Sequence, residues 1–229
     1  MTDETKAVEE VAKTAGKAID ASREVGGFIA KIIDRPLKQA FGIVEDRLKY
    51  IRWERQVRLM QRADEFLKSR GLSIPTRPVP LKIAIPIIVE GSLEEDDKLQ
   101  DIWAQLLTNA ADRDSGVEVR HMFLSILKDL TSQDVTVLNR IYAVSEDDAK
   151  YGIWTAYLPD RIVLHKDLAQ GDSVQANPTP EIQLTLSNLF RLGLITLTST
   201  WGGALTFNFI MPTVLGREFV KACSARRHG

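Results

Sequence analysis

The sequence predicts a mainly α-helical protein that closes with a small α+β module carrying a β-hairpin. Two observations carry this. Through residue 130 the apolar residues recur at helical spacing, and beyond it short alternating runs appear, separated by Gly, Pro and Asp. The 229 residues, against about 100–200 per domain, accommodate a helical domain over 1–130 and a second domain over 131–229. With 44% apolar and 27% charged residues the chain has the composition of a folded globular protein.

The first predicted helix covers residues 5–33. Val8, Val11, Ala15, Ile19, Phe28, Ile29, Ile32 and Ile33 follow an approximately helical period. A second line of small residues, Thr14, Ala18, Ser22, Gly26 and Ala30, recurs every fourth position. Such a stripe lets two helix backbones approach closely. Two readings stand side by side: tight packing within a soluble fold, or a candidate contact with a partner or membrane through Ala18, Ser22, Gly26 and Ala30. Gly26-Gly27 weakens the helix by roughly 1 kcal/mol per glycine relative to alanine.

Asp34-Arg35-Pro36 breaks the pattern, because proline disfavours helical backbone in the residue before it. A longer helix is expected over 37–70, with Ala40, Val44, Leu48, Ile51, Val57, Met60, Ala63 and Leu67 inward and Gly71 placed to end it. Residues 35–70 hold ten Lys/Arg against five Asp/Glu. Arg52, Arg55, Arg58 and Arg62 lie on roughly one side. That stripe suits phosphates of nucleic acid or lipid headgroups. It equally suits ion pairs with Glu45, Glu54 and Asp64 on a solvated face.

A Pro-rich connector, 73–80, leads to core helices over 82–130. The apolar run at 82–89 is read as a helix kinked at Pro86, with a buried strand as the alternative. In the segment that follows, Ser92 is placed as an N-cap and Glu95 as its capping-box partner. Glu94 to Asp97 form an acidic cluster that invites a metal or acid/base reading. The helix-start reading is the stronger, since carboxylates in a first turn gain about 0.3–1 kcal/mol each from the helix dipole. Leu99, Ile102, Trp103, Leu106, Leu107 and Ala110 form an apolar face with Trp103 as core anchor, and Asn109 is placed to bond a neighbouring segment. After a turn at 112–116, a helix over 118–130 is expected to bury Met122, Phe123, Ile126 and Leu127.

In the second domain, Thr131 and Asp134 form a capping box opening a helix through Val135, Leu138, Ile141 and Tyr142. Residues 145–179 read as an irregular insertion with strand-like patches at 153–158 and 162–164. Pro180 suits the first position of a helix to 192. A strand from Gly193, a turn at Gly202-Gly203, a returning strand at 205–210 and a helix capped by Thr213 complete the chain. The phrase LSNLFRLGLITL, followed by a hairpin and TVLGREFVKAC, resembles the ending of a winged helix. The resemblance implies DNA binding, yet residues 120–229 carry eleven Lys/Arg and ten Asp/Glu, and the presumed recognition helix has only Glu181 and Arg191. That surface lacks the basic character of sequence-specific DNA readers, which favours protein contact, with Trp201 at the hairpin tip as an exposed aromatic.

The net charge of -1 excludes a broadly basic, histone-like protein. The single cysteine, Cys223, cannot form an internal disulfide and fits a reducing compartment. Its place in an apolar-patterned helix favours a structural role. His121, His165 and His228 lack metal-ligand spacing, and the phosphate-loop, dinucleotide and nucleophile-elbow motifs are absent from the sequence. No catalytic residues, metal or cofactor are therefore expected. The acidic N-terminus lacks signal-peptide character and no run approaches a membrane span. A cytoplasmic protein is expected, with membrane association on activation as a further reading.

The string SLEEDDKLQDIWAQLLTNAAD at 92–112, the Pro-rich entry before it, the small-residue helix and the closing "L..L..LGLI…LG..F" module resemble the Abi-alpha (abortive infection alpha) family, a bacterial domain of unknown function. The resemblance spans about 7–223. It implies anti-phage defence, in which an infected cell stops growing or dies, and it carries no assigned active site. The expected function is a non-enzymatic effector or sensor acting through protein or membrane contacts. A nucleic-acid-binding regulator is the alternative, and an enzyme of unrecognised type a third. Homo-oligomers are compatible with each.

Overall fold

The structure is a computed structural model and describes residues 53–168, 176–199 and 202–225, together with Gly27. The expected helix at 5–33 and the first part of that at 37–70 lie outside the described residues. The chain divides into two compact units, residues 1–124 with 225–229, and residues 125–224.

In unit 1, α1 runs Trp53–Ser69, α2 Leu81–Leu93 and α3 Asp97–Ala111, followed by a 3-10 turn at Arg113–Ser115. Gly71 ends α1 as expected. It sits at φ 74°, and its N–H donates to the Lys68 carbonyl while that of Leu72 donates to Leu67. This is a Schellman closure, which requires the left-handed backbone that glycine adopts without steric cost. Pro86 lies inside α2, and the helix continues through it to Leu93.

Two expectations fail here. Ser92 does not cap a helix; it is buried in the last turn of α2, and its hydroxyl donates to the Ile88 carbonyl at 2.6 Å. The cap of α3 is Asp96, whose carboxylate accepts from Lys98 N and Leu99 N. The physical reason is the apolar run before it: burial of Ile83, Ile87 and Ile88 carries the helix past Gly91 and leaves only Glu94 to Asp96 to turn the chain. Gly91 is a point of tight contact among the three helices. A Cβ there would sit 2.9 Å from Trp103 Cβ and 3.1 Å from Leu59 Cδ2.

The next helix, α4 (His121–Lys128), is shorter than expected, and the boundary between the units falls within it. Phe123, Ile126 and Leu127 are buried as expected, but Met122 is 45% exposed and Leu124 takes the inward place.

Unit 2 contains α5 (Ser132–Tyr142), α6 (Glu146–Ala149), β1 (Ile153–Trp154), β2 (Val163–Leu164), α7 (Pro180–Arg191), β3 (Ile195–Ser199), β4 (Leu205–Pro212) and α8 (Val214–Cys223). The chain is thus mainly α, with a small antiparallel sheet of order β2-β1-β4-β3. The capping box of α5 forms as read: Thr131 Oγ1 accepts from Asp134 N and the Asp134 carboxylate from Thr131 N. Thr179 caps α7 with Pro180 behind it, and Thr213 caps α8. One row across the sheet, Ile153, Ile210 and Leu197, is buried and forms the core with Ile141, Leu186, Leu189 and Phe219. Of the strand patches expected at 153–158 and 162–164, only Ile153–Trp154 and Val163–Leu164 pair, as β1 and β2; the chain turns after Trp154, and the sequence reading does not include the short helix α6.

Candidate functional site

The arginines singled out on α1 do not face open solvent. Arg55 Nε donates to the Glu94 carbonyl at 2.8 Å and its Nη1 to Asp97 at 2.6 Å. Arg58 reaches Gln100 Oε1 at 2.7 Å and Asp101 at 2.9 Å, with Asp97 at 3.4 Å. Arg62 grips Asp101 with two parallel bonds, 3.0 and 2.8 Å, and reaches Glu65 at 2.5 Å. Such bidentate charge-assisted pairs are among the stronger polar contacts. Asp101 and Glu65 accordingly raise the Arg62 pKa, and the Arg55 and Arg58 guanidiniums hold the Asp97 carboxyl below its ordinary value. Arg52 lies outside the described residues.

The seam continues to the far end of both helices. Arg70 donates to Asp112 at 2.8 Å and to Asn109 Oδ1 at 2.6 Å, and this pair is enclosed, with side chains 8% and 2% exposed. Arg77, in the connector, gathers the carbonyls of Asn109, Ala110 and Val117 at 2.7–3.0 Å. It thereby satisfies carbonyls at the C-terminus of α3 that have no partner within the helix. Asn109 does bond a neighbouring segment, but as the acceptor of Arg70 through its side chain and of Arg77 through its backbone.

The links between α1 and α3 join residues 39 to 45 apart in the sequence. A near-constant offset along the whole length means the two helices run parallel, in register. Gln100 is the joint that residue-type reasoning missed. It is fully buried; its amide donates to Arg55 O at 3.0 Å and Gly91 O at 2.8 Å while its oxygen receives Arg58. One side chain therefore ties α1, α2 and α3 together. Its signal in the sequence is a glutamine next to Leu99 and three residues before Trp103, within the apolar spacing of the helix.

The two motifs that drew separate functional readings, the arginine stripe and the acidic start of α3, are thus each other's partners. Among the described residues, the expected partners Glu54 and Asp64 take no arginine of the stripe; Asp64 pairs with Lys68 instead, and Glu45 lies outside the described residues. The acidic cluster also does not converge on a metal: among the described residues no group of three potential ligands comes together.

Residues 54–223 match the family described as Abortive infection alpha. The chain belongs to the abortive infection alpha family. That description suggests a phage-defence-related role. The match begins at the arginine-bearing helix, so the small-residue stripe at 14–30 lies before it, and the resemblance read from residue 7 narrows accordingly. Searches of curated proteins and of solved structures find no match.

The other candidates divide. Ala18, Ser22, Gly26, Ala30 and Trp201 lie outside the described residues. On α7 the one base, Arg191, is engaged by Asp129 at 3.0 Å and by Asn188, while Asn188 donates to Asp134 and to the Asp129 carbonyl. The exposed apolar side chains of unit 2 include Leu184 on α7, 73% exposed, Leu205 in the hairpin, 52%, and Val214 at the start of α8, 79%. Enclosure of the Cys223 sulfur pushes its thiol pKa up, away from the nucleophilic thiolate. Among the described residues no helix is long and apolar enough to cross a membrane.

Proposed function

We propose that this abortive-infection-family chain is a non-enzymatic effector or sensor of phage defence that acts through contacts with protein or membrane, cytoplasmic until it is activated. The carrying observation is the exposure of large apolar side chains at three places in unit 2, Leu184, Leu205 and Val214. A side chain such as leucine gains about 1.5–3 kcal/mol on full burial, so a surface that holds several is suited to docking.

Unit 2 is read as a winged-helix-type module turned to that purpose. Its helix–helix–hairpin–helix ending and the sheet order β1-β4-β3 support this. A nucleic-acid role has weaker support, because the candidate cations among the described residues are engaged: Arg55, Arg58 and Arg62 by α3, and Arg191 by Asp129.

The test is phage challenge of bacteria expressing the full chain or a Leu184→Asp/Val214→Asp variant, both at exposed positions. Protection by the native chain and its loss in a variant with unchanged circular dichroism is the expected result. Equal protection by both would remove the contact reading at these positions. Leakage of anionic vesicles, compared between the native chain and Gly26→Leu, separates a membrane target from a protein one.

A further inference from the structure

Unit 2 holds four arginines among its described residues. Arg191 meets Asp129 at 3.0 Å, and Arg217 meets Glu146 at 3.4 Å. The other two, Arg140 and Arg161, are exposed, form no ion pair among the described residues, and meet at one loop. That loop, 155–162, joins β1 to β2 and is pinned along its length. The N–H of Thr155 donates to Asn208 O at 3.0 Å, that of Leu158 to Thr155 O at 3.0 Å and that of Arg161 to Tyr157 O at 2.9 Å. Leu158 is buried beneath it. From α5, Arg140 Nη2 donates to the Asp160 carbonyl at 2.5 Å, against the peptide that leads into Arg161. The Arg161 guanidinium lies 4.2 Å over the ring of Tyr157, which is 46% exposed.

Arg62 in unit 1 shows what such a stack does. Its guanidinium lies 4.6 Å over Phe66, while donors at its edge hold Asp101 at 3.0 and 2.8 Å. The ring takes the face of the guanidinium, and the N–H donors, which lie in its plane, stay directed at a carboxylate. Arg161 repeats the stack at the surface, and no carboxylate of the described residues pairs with it.

We propose that Tyr157, Arg161 and Arg140 form a docking surface for an acidic peptide segment of a partner protein, with a carboxylate seated on the edge of Arg161. The surface involves none of Leu184, Leu205 and Val214. Tyrosine and arginine are enriched at the energetic centres of interfaces. A stacked arginine on a pinned loop also has little freedom left to lose on binding. The charge pattern selects a peptide over a nucleic acid. Asp160, beside Arg161, is exposed and forms no ion pair among the described residues. A run of phosphates would be repelled there, whereas a peptide can set glutamates against the two arginines and a lysine against Asp160.

The experiment is an NMR titration of the full chain with an acetylated peptide carrying glutamates on either side of a lysine, and with an oligothymidylate of similar length. The peptide should shift the Arg161 Nε–H and Tyr157 ring signals, and its affinity should fall as salt rises. Arg161→Gln should weaken binding about tenfold, the loss expected for a charge-assisted contact. Tyr157→Ala, which removes the stack and keeps the charge, should weaken it as well. Both positions are exposed, and circular dichroism verifies that each variant is folded. Leu184→Asp should bind the peptide as the native chain does, so this surface and the contact at Leu184 can fail separately. Loop signals that do not move with the peptide, equal binding by Arg161→Gln or by Tyr157→Ala, or tighter binding of the oligothymidylate each overturns the proposal.

Discussion

The helices of unit 1 are joined chiefly by guanidinium groups, with the neutral Gln100 among them, whereas a central joint of unit 2 is made by a tyrosine hydroxyl. In unit 1 five arginines reach across to α3 or its carbonyls, and the innermost pair, Arg70 with Asp112, is enclosed. In unit 2 the Tyr142 hydroxyl donates to the Leu194 carbonyl at 2.5 Å and accepts from Thr213 N at 2.9 Å, tying α5 to the start of β3 and the end of β4. The Tyr142 ring is packed so closely that a Cβ on Gly216 would fall 2.0 Å from its oxygen. The difference teaches what each unit is sensitive to. A guanidinium–carboxylate joint responds to pH and salt and fails badly when one partner is removed, while a neutral joint loses only the bond and the desolvation of what it satisfied.

The largest effect is therefore expected from Asp112→Ala. The substitution leaves the Arg70 charge buried without its counter-ion and removes the cap on Asp114 N. Breaking an enclosed pair by deleting one partner costs about 3–5 kcal/mol. Urea unfolding followed by hydrogen exchange should show the loss in unit 1, with protection falling first in α1 and α3. A cost below about 1 kcal/mol would mean that the pair is solvated and the seam is held by its apolar side alone.

Tyr142→Phe should come next, at about 1–3 kcal/mol, because it orphans Thr213 N and the Leu194 carbonyl while keeping the ring. The loss belongs to unit 2, and it should not depend on salt. Burial also raises the phenol pKa, so the joint persists through neutral pH and weakens only when strongly alkaline conditions remove the proton that it donates. An effect confined to unit 1 would break the comparison.

The two units also differ in how far their joints were legible beforehand. Thr131 and Asp134 formed their capping box as read, because such a box depends on residues three apart and on nothing else. Ser92 and Glu95 have the same spacing and failed, because the burial of α2 outweighed a local cap worth ~1 kcal/mol. The helical class, the hairpin, the Gly71 stop and the Trp103 anchor are all local or periodic signals. Arg55 with Asp97, and Arg58 with Gln100, are not. Their pairing depends on α1 and α3 running parallel at an offset near 42 residues, and no residue type announces that offset. The arginine stripe is visible in the sequence, but its partners are not: outside phosphates and the carboxylates Glu45, Glu54 and Asp64 stand as alternatives there, and the acceptors are Asp97, Gln100 and Asp101 on α3.

The smallest effect, and the one that most sharpens the comparison, concerns the outer end of the seam. Asp97 is the most exposed of its carboxylates, and Arg55 and Arg58 hold its pKa below the ordinary aspartate value. A lowered folded-state pKa stabilises the protein at pH values above the unfolded value, about 3.9, and that contribution disappears as pH falls through the lower, folded value. Unit 1 should thus lose stability on acidification below about pH 4, and Asp97→Asn should remove the part of that slope that belongs to this residue. Added salt should mimic the substitution, because charges this exposed are screened over a Debye length of ~8 Å at physiological ionic strength. Arg70 and Asp112 are enclosed and should hold under the same salt. Amide exchange at α1 resolves the two ends, with salt loosening the turns near Arg55 and sparing those near Arg70. Uniform loosening along α1 would show that the seam opens as one unit and that its charges act together.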